Sequence, residues 1–540
     1  LAVIENTGKA PFAYLKPGGF SFSEFAAEIN ARDPAAAHEK LVWQLASVLF
    51  DPVSIPEELE QVPDIANRLR KEHLSSFWQK LVEDASNTHT AMARSNEEKA
   101  IACLAGHKVA DACAHLVNSG DYHLATLVAL IGSKDSMRKD MREQLNDWQK
   151  SRVLSEFSEP IRAIYELLAG NVCICNGSKG PEDRMQSFVI SKRFGLDWRQ
   201  AFGLRLWYGI SSGESITPAV AMFSSALKDE KETSRPQAWY FEQKVPALWD
   251  DKSVTDREDL LWGLLKLFAL DNVGLEGVLR PENSQLSPLD IRLSWQLSQT
   301  LSSCGAVRFP ADDADAADRL TLSFASQLTS EGSWVDATFV LLHLTQEDAR
   351  AKAVQNHLAH HAGRIGNKES PAFDTLTQTF KIPAAWVWEA KALHMRSVEK
   401  NPRAEVECLI YAGSYNEAHS TFAKEVAPRA IVELDYDTLR VLLVGFEGKE
   451  SSIAEWHLGG EIYQDYLRLL DCDKKGGVIN HAVLQRLLSG LPAVVEESRH
   501  PAFMETVAVE TMSGVVAKSV VAQGKIGEVR LYYSLNSHTY

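Results

Sequence analysis

Apolar positions recur along most of the chain at three- and four-residue spacing, the signature of one helix face turned to a core. Helix starts punctuate that pattern. Ser or Thr followed three residues later by Asp or Glu occurs at Ser21/Glu24, Ser95/Glu98, Thr255/Glu258, Ser287/Asp290, Ser333/Asp336 and Thr345/Asp348. Such pairs satisfy the orphan N–H groups of a helix's first turn. In "SPLD" (287–290) Pro288 takes the first helical position, where a missing N–H costs nothing. Alternating runs with hairpin turns are scarce, and although "LAVIEN" (1–6) reads as a strand, little follows to pair with it. The pattern predicts an all-α body of about twenty-five or more helices, each roughly ten to twenty residues long.

Two segments, "LLWGLLKLFAL" (260–270) and "WVDATFVLLHL" (334–344), are apolar on nearly every face. A helix of that kind is enclosed by others, so two layers must fold over one another somewhere. Breaks are expected at 170–182, 228–236, 271–288, 304–315 and 363–371, none long enough to be an independent linker. One phrase occurs twice: His115–Ala125 carries Asn118-Ser119-Gly120-Asp121-Tyr122, and Cys408–Ala418 carries Tyr411-Ala412-Gly413-Ser414-Tyr415. Glycine ends one helix in a left-handed turn and the next residue caps the following helix. Gly120 and Gly413 are therefore expected at positive φ. The copies are not tandem at a fixed period, so the fold class is an irregular α-solenoid of helix pairs rather than a regular repeat array.

The length of 540 residues exceeds what a single core usually spans. Charge lowers the odds of nucleic-acid binding: 56 Lys and Arg against 72 Asp and Glu give −16. Arg184, Lys192, Arg193, Arg199 and Arg205 lie close in sequence, but a solvated helix face explains them. Seven cysteines without regular spacing fit a reducing compartment, and no apolar run approaches a membrane span. The start at Leu1 suggests a fragment or a processed product.

Local chemistry is thin. "GISSG" (209–213) matches a nucleophile elbow, yet the residues before Ser211 have helical spacing where a strand is required. "DCDKKGGVINHA" (471–482) opens like a calcium loop with Asp471, Asp473 and Gly476, but Lys475 and Ala482 occupy ligand positions. His357, His360 and His361 offer a pair one helical turn apart without a third ligand, and Cys173 and Cys175 lack a second pair. No catalytic residue, metal or cofactor is expected. An all-α enzyme or a tetratricopeptide-like adaptor are the alternatives to a scaffold.

"HLATLVALIG" (123–132), "WRQAFGLRLWYGI" (198–210), "LLWGLLKLFA" (260–269), "DIRLSWQL" (290–297) and "SWVDATFVLLHL" (333–344) occur in that order. Together they resemble the family of vertebrate nucleoporin 96 and the C-terminal product of the fungal nucleoporin-145 precursor, over nearly the whole chain from about Phe20. The resemblance implies an ancestral coatomer element, in which the chain climbs a trunk, reverses through a crown, returns and ends in a tail. On this chain that gives an N-terminal segment 1–36, an outgoing trunk 37–104, a crown 105–284, a returning trunk 285–400 and a tail 401–540. It further implies a structural subunit of the Y-shaped coat of the nuclear pore complex, at the nuclear envelope, in nucleocytoplasmic transport of mRNA and protein. The implied partners are nucleoporin 84 (nucleoporin 107 in vertebrates) through the crown, nucleoporins 120 and 85 near the tail, and the Sec-thirteen propeller through an N-terminal blade. The residues before Phe20 are too few for a three-stranded blade. No direct contact with nucleic acid or membrane is implied. Candidate partner-binding residues are Phe194, Trp198, Phe202, Leu206 and Trp207 in the crown and Tyr463, Tyr466 and Leu467 in the tail, unless they fill the cores instead.

Overall fold

A computed structural model describes residues 2–59, 61–132, 135–179, 184–211, 213–232, 234–249, 256–305, 314–475, 480–497 and 502–522. The chain is mostly helical, with three two-stranded ribbons among the described residues. It divides into two compact units: Leu1–Val3 with Tyr14–Ser330, and Ile4–Ala13 with Glu331–Tyr540.

The first unit has a large core running from Phe22 to Leu301, with Ala238, Trp239 and Tyr240 in a small separate cluster, and its helices show how the sequence builds it. Pro34–Phe50 starts at Asp33, whose carboxylate accepts from the Ala36 N–H at 2.9 Å, with Pro34 in the first turn. Val42, Leu45, Ala46 and Leu49 repeat at helical spacing and are all buried. Leu260–Ala269, apolar on every side, is enclosed as its composition requires. It packs on Pro34–Phe50, with the Phe50 and Phe268 rings 5.7 Å apart, and Trp262 meets Phe223 edge-on at 5.0 Å. Gly263 permits the approach of Val278: a Cβ there would lie 2.6 Å from Val278 Cγ1. Glu39 takes both terminal nitrogens of Arg292, so segments some 250 residues apart are joined within the unit.

The second unit stacks helices largely in sequence order. Phe373 contacts Trp388 at 5.3 Å, Trp388 contacts Tyr411 at 4.8 Å, and Phe422 contacts both Phe446 and Tyr463 at 5.8 Å. The N-terminal expectation needs correction. The strand Ala2–Thr7 does have a partner, Ala10–Leu15, through a turn in which Gly8 adopts φ 75°. Other residues of the second unit hold its Ile4–Ala13 part. Ala13 N–H bonds the Leu342 carbonyl at 3.0 Å, Lys381 Nζ bonds the Ile4 carbonyl at 2.7 Å, and the Arg350 guanidinium lies 4.8 Å from the Phe12 ring centre.

The expected caps divide. Ser21 and Ser95 accept first-turn N–H bonds. Ser333 starts its helix without a side-chain bond, and Gln346 rather than Thr345 precedes Glu347–His361. Ser287 caps no helix: "SPLD" forms a turn closed by Asp290 N–H on the Ser287 carbonyl, and the helix begins at Arg292. There the Ile291 N–H is taken by Gln327 Oε1 at 2.8 Å, a long-range bond that local pattern cannot reveal. Thr255 lies outside the described residues.

Both hairpin joints adopt the left-handed turn, with φ 84° at Gly120 and 80° at Gly413. Space is open around each, so the cost of a Cβ is conformational alone. Gly413→Ala is expected to destabilise the second unit by about 1 kcal/mol and Gly413→Asn by less. Faster amide exchange over residues 402–421 would report it, and unchanged exchange in the alanine variant would refute it.

Candidate functional site

Seven of the eight candidate partner-binding residues lie in the interior, which corrects their reading as a docking surface. Trp198–Leu204 begins with a reciprocal cap, Gln200 N–H on Asp197 Oδ1 at 2.8 Å and Asp197 N–H on Gln200 Oε1 at 3.2 Å. It continues into the π-helical turn Arg205–Gly209. Trp198, Phe202, Leu206 and Trp207 are all buried. Trp78 meets Trp198 at 6.0 Å and Phe202 at 4.8 Å. Trp207 stacks on His107 at 4.8 Å and donates its indole N–H to Ser75 Oγ at 2.8 Å. Tyr463, Tyr466 and Leu467 are buried on Gly460–Lys474, the tyrosines against Phe422 and Tyr436. Phe194 alone is half-exposed, with the Arg193 guanidinium 5.8 Å from its ring centre. The physical reason is general: aromatic stripes bury so much apolar area that a core claims them first.

The cluster of cations is only partly a solvated face: Lys192 and Arg193 are exposed, Arg199 is half-buried and Arg205 is buried. Arg205 is buried and paired with buried Glu232, and Arg199 bonds Glu242 at 2.7 Å and fully buried Asp259 at 3.1 Å. Arg193 pairs with Glu159, and Lys192 bonds the Glu230 carbonyl at 2.9 Å. The side chain of Arg184 lies outside the described residues.

Groups with catalytic potential are used structurally. Ser211 follows a helix, and its hydroxyl bonds Asp135 at 2.7 Å. Asp471 and Asp473 sit in the last turn of Gly460–Lys474, bonded to Arg440 and Ser519, while Gly476 lies outside the described residues. His357 bonds the Trp334 carbonyl at 2.9 Å and His361 stacks on the Trp334 ring at 5.5 Å, and burial holds both imidazoles below their ordinary range. Burial pushes the Cys175 thiol up to about 12, far from a metal-ready thiolate. Among the described residues no three His, Cys, Asp or Glu are placed to hold a metal ion. A cleft of about 390 Å³ in the first unit is lined by Lys71, Ser75, His107 and Trp207 among others. Three of its polar groups are engaged internally: Lys71 with the Ser211 carbonyl at 2.7 Å, Ser75 with Trp207, and His107 with the Tyr208 hydroxyl at 3.2 Å. Burial, aided by nearby Arg138, brings Lys71 down to about 8. No helix of the described residues is long and apolar enough to cross a membrane.

What the surface does offer is exposed aliphatic and aromatic side chains that the sequence reading passed over, notably Leu248, Leu289, Tyr411, Leu434, Val441 and Val444. The one local signal for them is a leucine at 434, directly after a helix, where glycine is usual.

The family model for nuclear protein 96 (Nup96) matches residues 98–394. Nucleoporin NUP145 of Chaetomium thermophilum is 38% identical over 458 residues, 84% of this chain and 22% of that protein. Nucleoporin nup189 of Schizosaccharomyces pombe is 33% identical over 458 residues, 81% and 24%. Nuclear pore complex protein Nup98-Nup96 of Drosophila melanogaster is 28% identical over 440 residues, 79% and 21%. The alignments thus cover about a quarter or less of these relatives' length. With more than half of its length matched by the family model, this chain belongs to the Nup96 family of nucleoporins.

Proposed function

We propose that this chain, a nuclear pore component by family, is a structural scaffold of the pore's Y-shaped coat and works through protein–protein interfaces rather than turnover. The reading takes its fold as a fold-back α-solenoid of the ancestral coatomer type, with outgoing trunk 37–104, crown 105–284, returning trunk 285–400 and tail 401–540. The observation that supports it is the contact between distant segments inside the first unit. Helix Pro34–Phe50 is packed by Leu260–Ala269 and tied at Glu39 to Arg292, so distant segments enclose one another. A rigid double-layered leg suits a strut, which must hold its partners at fixed spacing. Nucleoporin 84 would meet the crown, and nucleoporins 120 and 85 the tail. The hairpin Ala2–Leu15 is held by its own chain, so completing a Sec-thirteen propeller would need strands other than these two.

Mixing the chain with purified nucleoporin 84 at micromolar concentration is expected to give a single co-eluting peak on a sizing column. Separate elution would overturn the crown assignment.

A further inference from the structure

Helix Ala427–Glu433 ends at Leu434, which adopts φ 59° and ψ 25°. Its N–H bonds the Ile431 carbonyl at 3.2 Å, and the Asp435 N–H bonds the Ala430 carbonyl at 2.8 Å, closing the helix as a glycine would. A β-carbon in this conformation is strained. Other non-glycine residues at positive φ among those described are charged or histidine: Asp64, His107, Arg152, Glu230, Lys244, Lys381, Lys400 and Glu455. Leu434 is the aliphatic exception, and it gains no core packing in return, being 63% exposed. A strained, exposed leucine where glycine would fit without strain points to a use for its side chain.

The next helix, Tyr436–Val444, buries Leu439, Leu442 and Leu443. Its outer face carries Asp437, Val441 and Val444 at i, i+4 and i+7, with the valines 59% and 62% exposed. Gly445 comes so close to Ile410 that a Cβ would lie 2.9 Å from its Cδ1. Tyr411, next to Ile410 in sequence, is 64% exposed. Exposed carboxylates border the ridge at Glu433, Asp435, Asp437 and Glu447. Four cations lie nearby: Arg429 closes on Glu433, Arg440 is shared between Asp437 and Asp471, Arg403 acts on Asp435 while paired with Glu407, and Lys449 follows Glu447, so with Asp471 and Glu407 counted the six carboxylates outnumber them and the stretch stays net acidic.

We propose that this ridge, Leu434 with Val441 and Val444, docks an amphipathic helix of another protein that carries lysine or arginine within its apolar stripe. The proposal rests on the scaffold reading above. Helices expose no backbone edge, so the occupant must be read through side chains, and a helical ridge fits the groove of a second helix. The apolar trio supplies the contact and the carboxylates select a basic partner. A second copy meeting face to face would bring like charges together at Asp437.

The test places the photo-crosslinking residue benzoylphenylalanine at 441 in the full chain within assembled nuclear pores and sequences the adduct. The expected adduct lies in a helical, apolar segment with lysine or arginine, from a different protein. An adduct to a second copy, to residues 523–540 of the same chain or to an acidic or non-helical segment overturns the proposal, as does no adduct from chain present in pores. A chain absent from pores would overturn the scaffold reading as well. Leu434→Gly adds a readout that a structural role would not give. It is expected to raise the melting temperature of the isolated chain by about 1 °C while cutting the adduct at 441 at least threefold. A lower melting temperature with an unchanged adduct would show Leu434 to be structural.

Discussion

Glu232→Ala is expected to destabilise the first unit by about 3–5 kcal/mol, the cost of leaving a buried charge without its partner. Arg205 and Glu232 are both almost wholly enclosed. The guanidinium donates to the Glu232 carboxylate and to the Ala201 carbonyl at 2.8 Å, and it lies 5.0 Å from the Phe223 ring centre. Glu232 also accepts from Ser191 at 2.6 Å, so one carboxylate ties the loop after Thr217–Lys228 to two other elements. Arg205→Met combined with Glu232→Leu removes both charges and keeps the volume, and it is expected to recover most of the loss. Urea unfolding, with amide exchange over residues 198–204 to localise it, would measure the cycle. A loss below about 1 kcal/mol for Glu232→Ala, or a double variant no better than the single, would show that the pair is not what holds this core.

That pair also shows where reading the sequence stops. Arg199 and Arg205 look like a basic face because their neighbours in sequence are basic. Their carboxylates stand 43, 60 and 27 residues away, at Glu242, Asp259 and Glu232. The helical class was legible because helix periodicity and caps such as Ser95 are local. The hairpin Ala2–Leu15 was missed because its Gly8-Lys9 turn is not the usual Asn-Gly or Asp-Gly pair. Trp198, Phe202 and Tyr466 read as surface candidates because an amphipathic stripe looks the same whether a core or a partner covers it. Leu434 could have been found, since a leucine where a helix must end is a local anomaly. Its exposure could not, because exposure depends on every other helix.

Acidification from pH 7 to pH 5 is expected to cost each unit about 2 kcal/mol through one buried histidine apiece. In the first unit His38 is enclosed, stacked on Trp239 at 5.4 Å, with Nε2 facing no hydrogen-bond partner. Burial, reinforced by the Arg199 charge and only partly opposed by Glu39, brings it from the ordinary 6.5 to about 3. In the second unit burial brings His343 to about 4, against the raising effect of its backbone bonds to Phe339 and Val340. Both folded values lie below the unfolded one, so the unfolded chain takes up the proton first as pH falls. The stability is therefore complete above about pH 6.5 and is lost on descent toward the folded values. Over the ~1.5 pH units between 6.5 and 5, each histidine costs about 1.4 kcal/mol per unit. His107 in the first unit and His357, His361 and His419 in the second are shifted the same way by burial and steepen the slopes. His38→Phe keeps the stacking on Trp239 and removes both the titration and the unpaired nitrogen. It is expected to flatten the pH dependence of the first unit by about one proton's worth and leave the second unit's slope unchanged. Amide exchange at pH 7 and pH 5 separates the two units. An unaltered slope in the first unit would mean that His38 is charged, or solvated, in the folded protein.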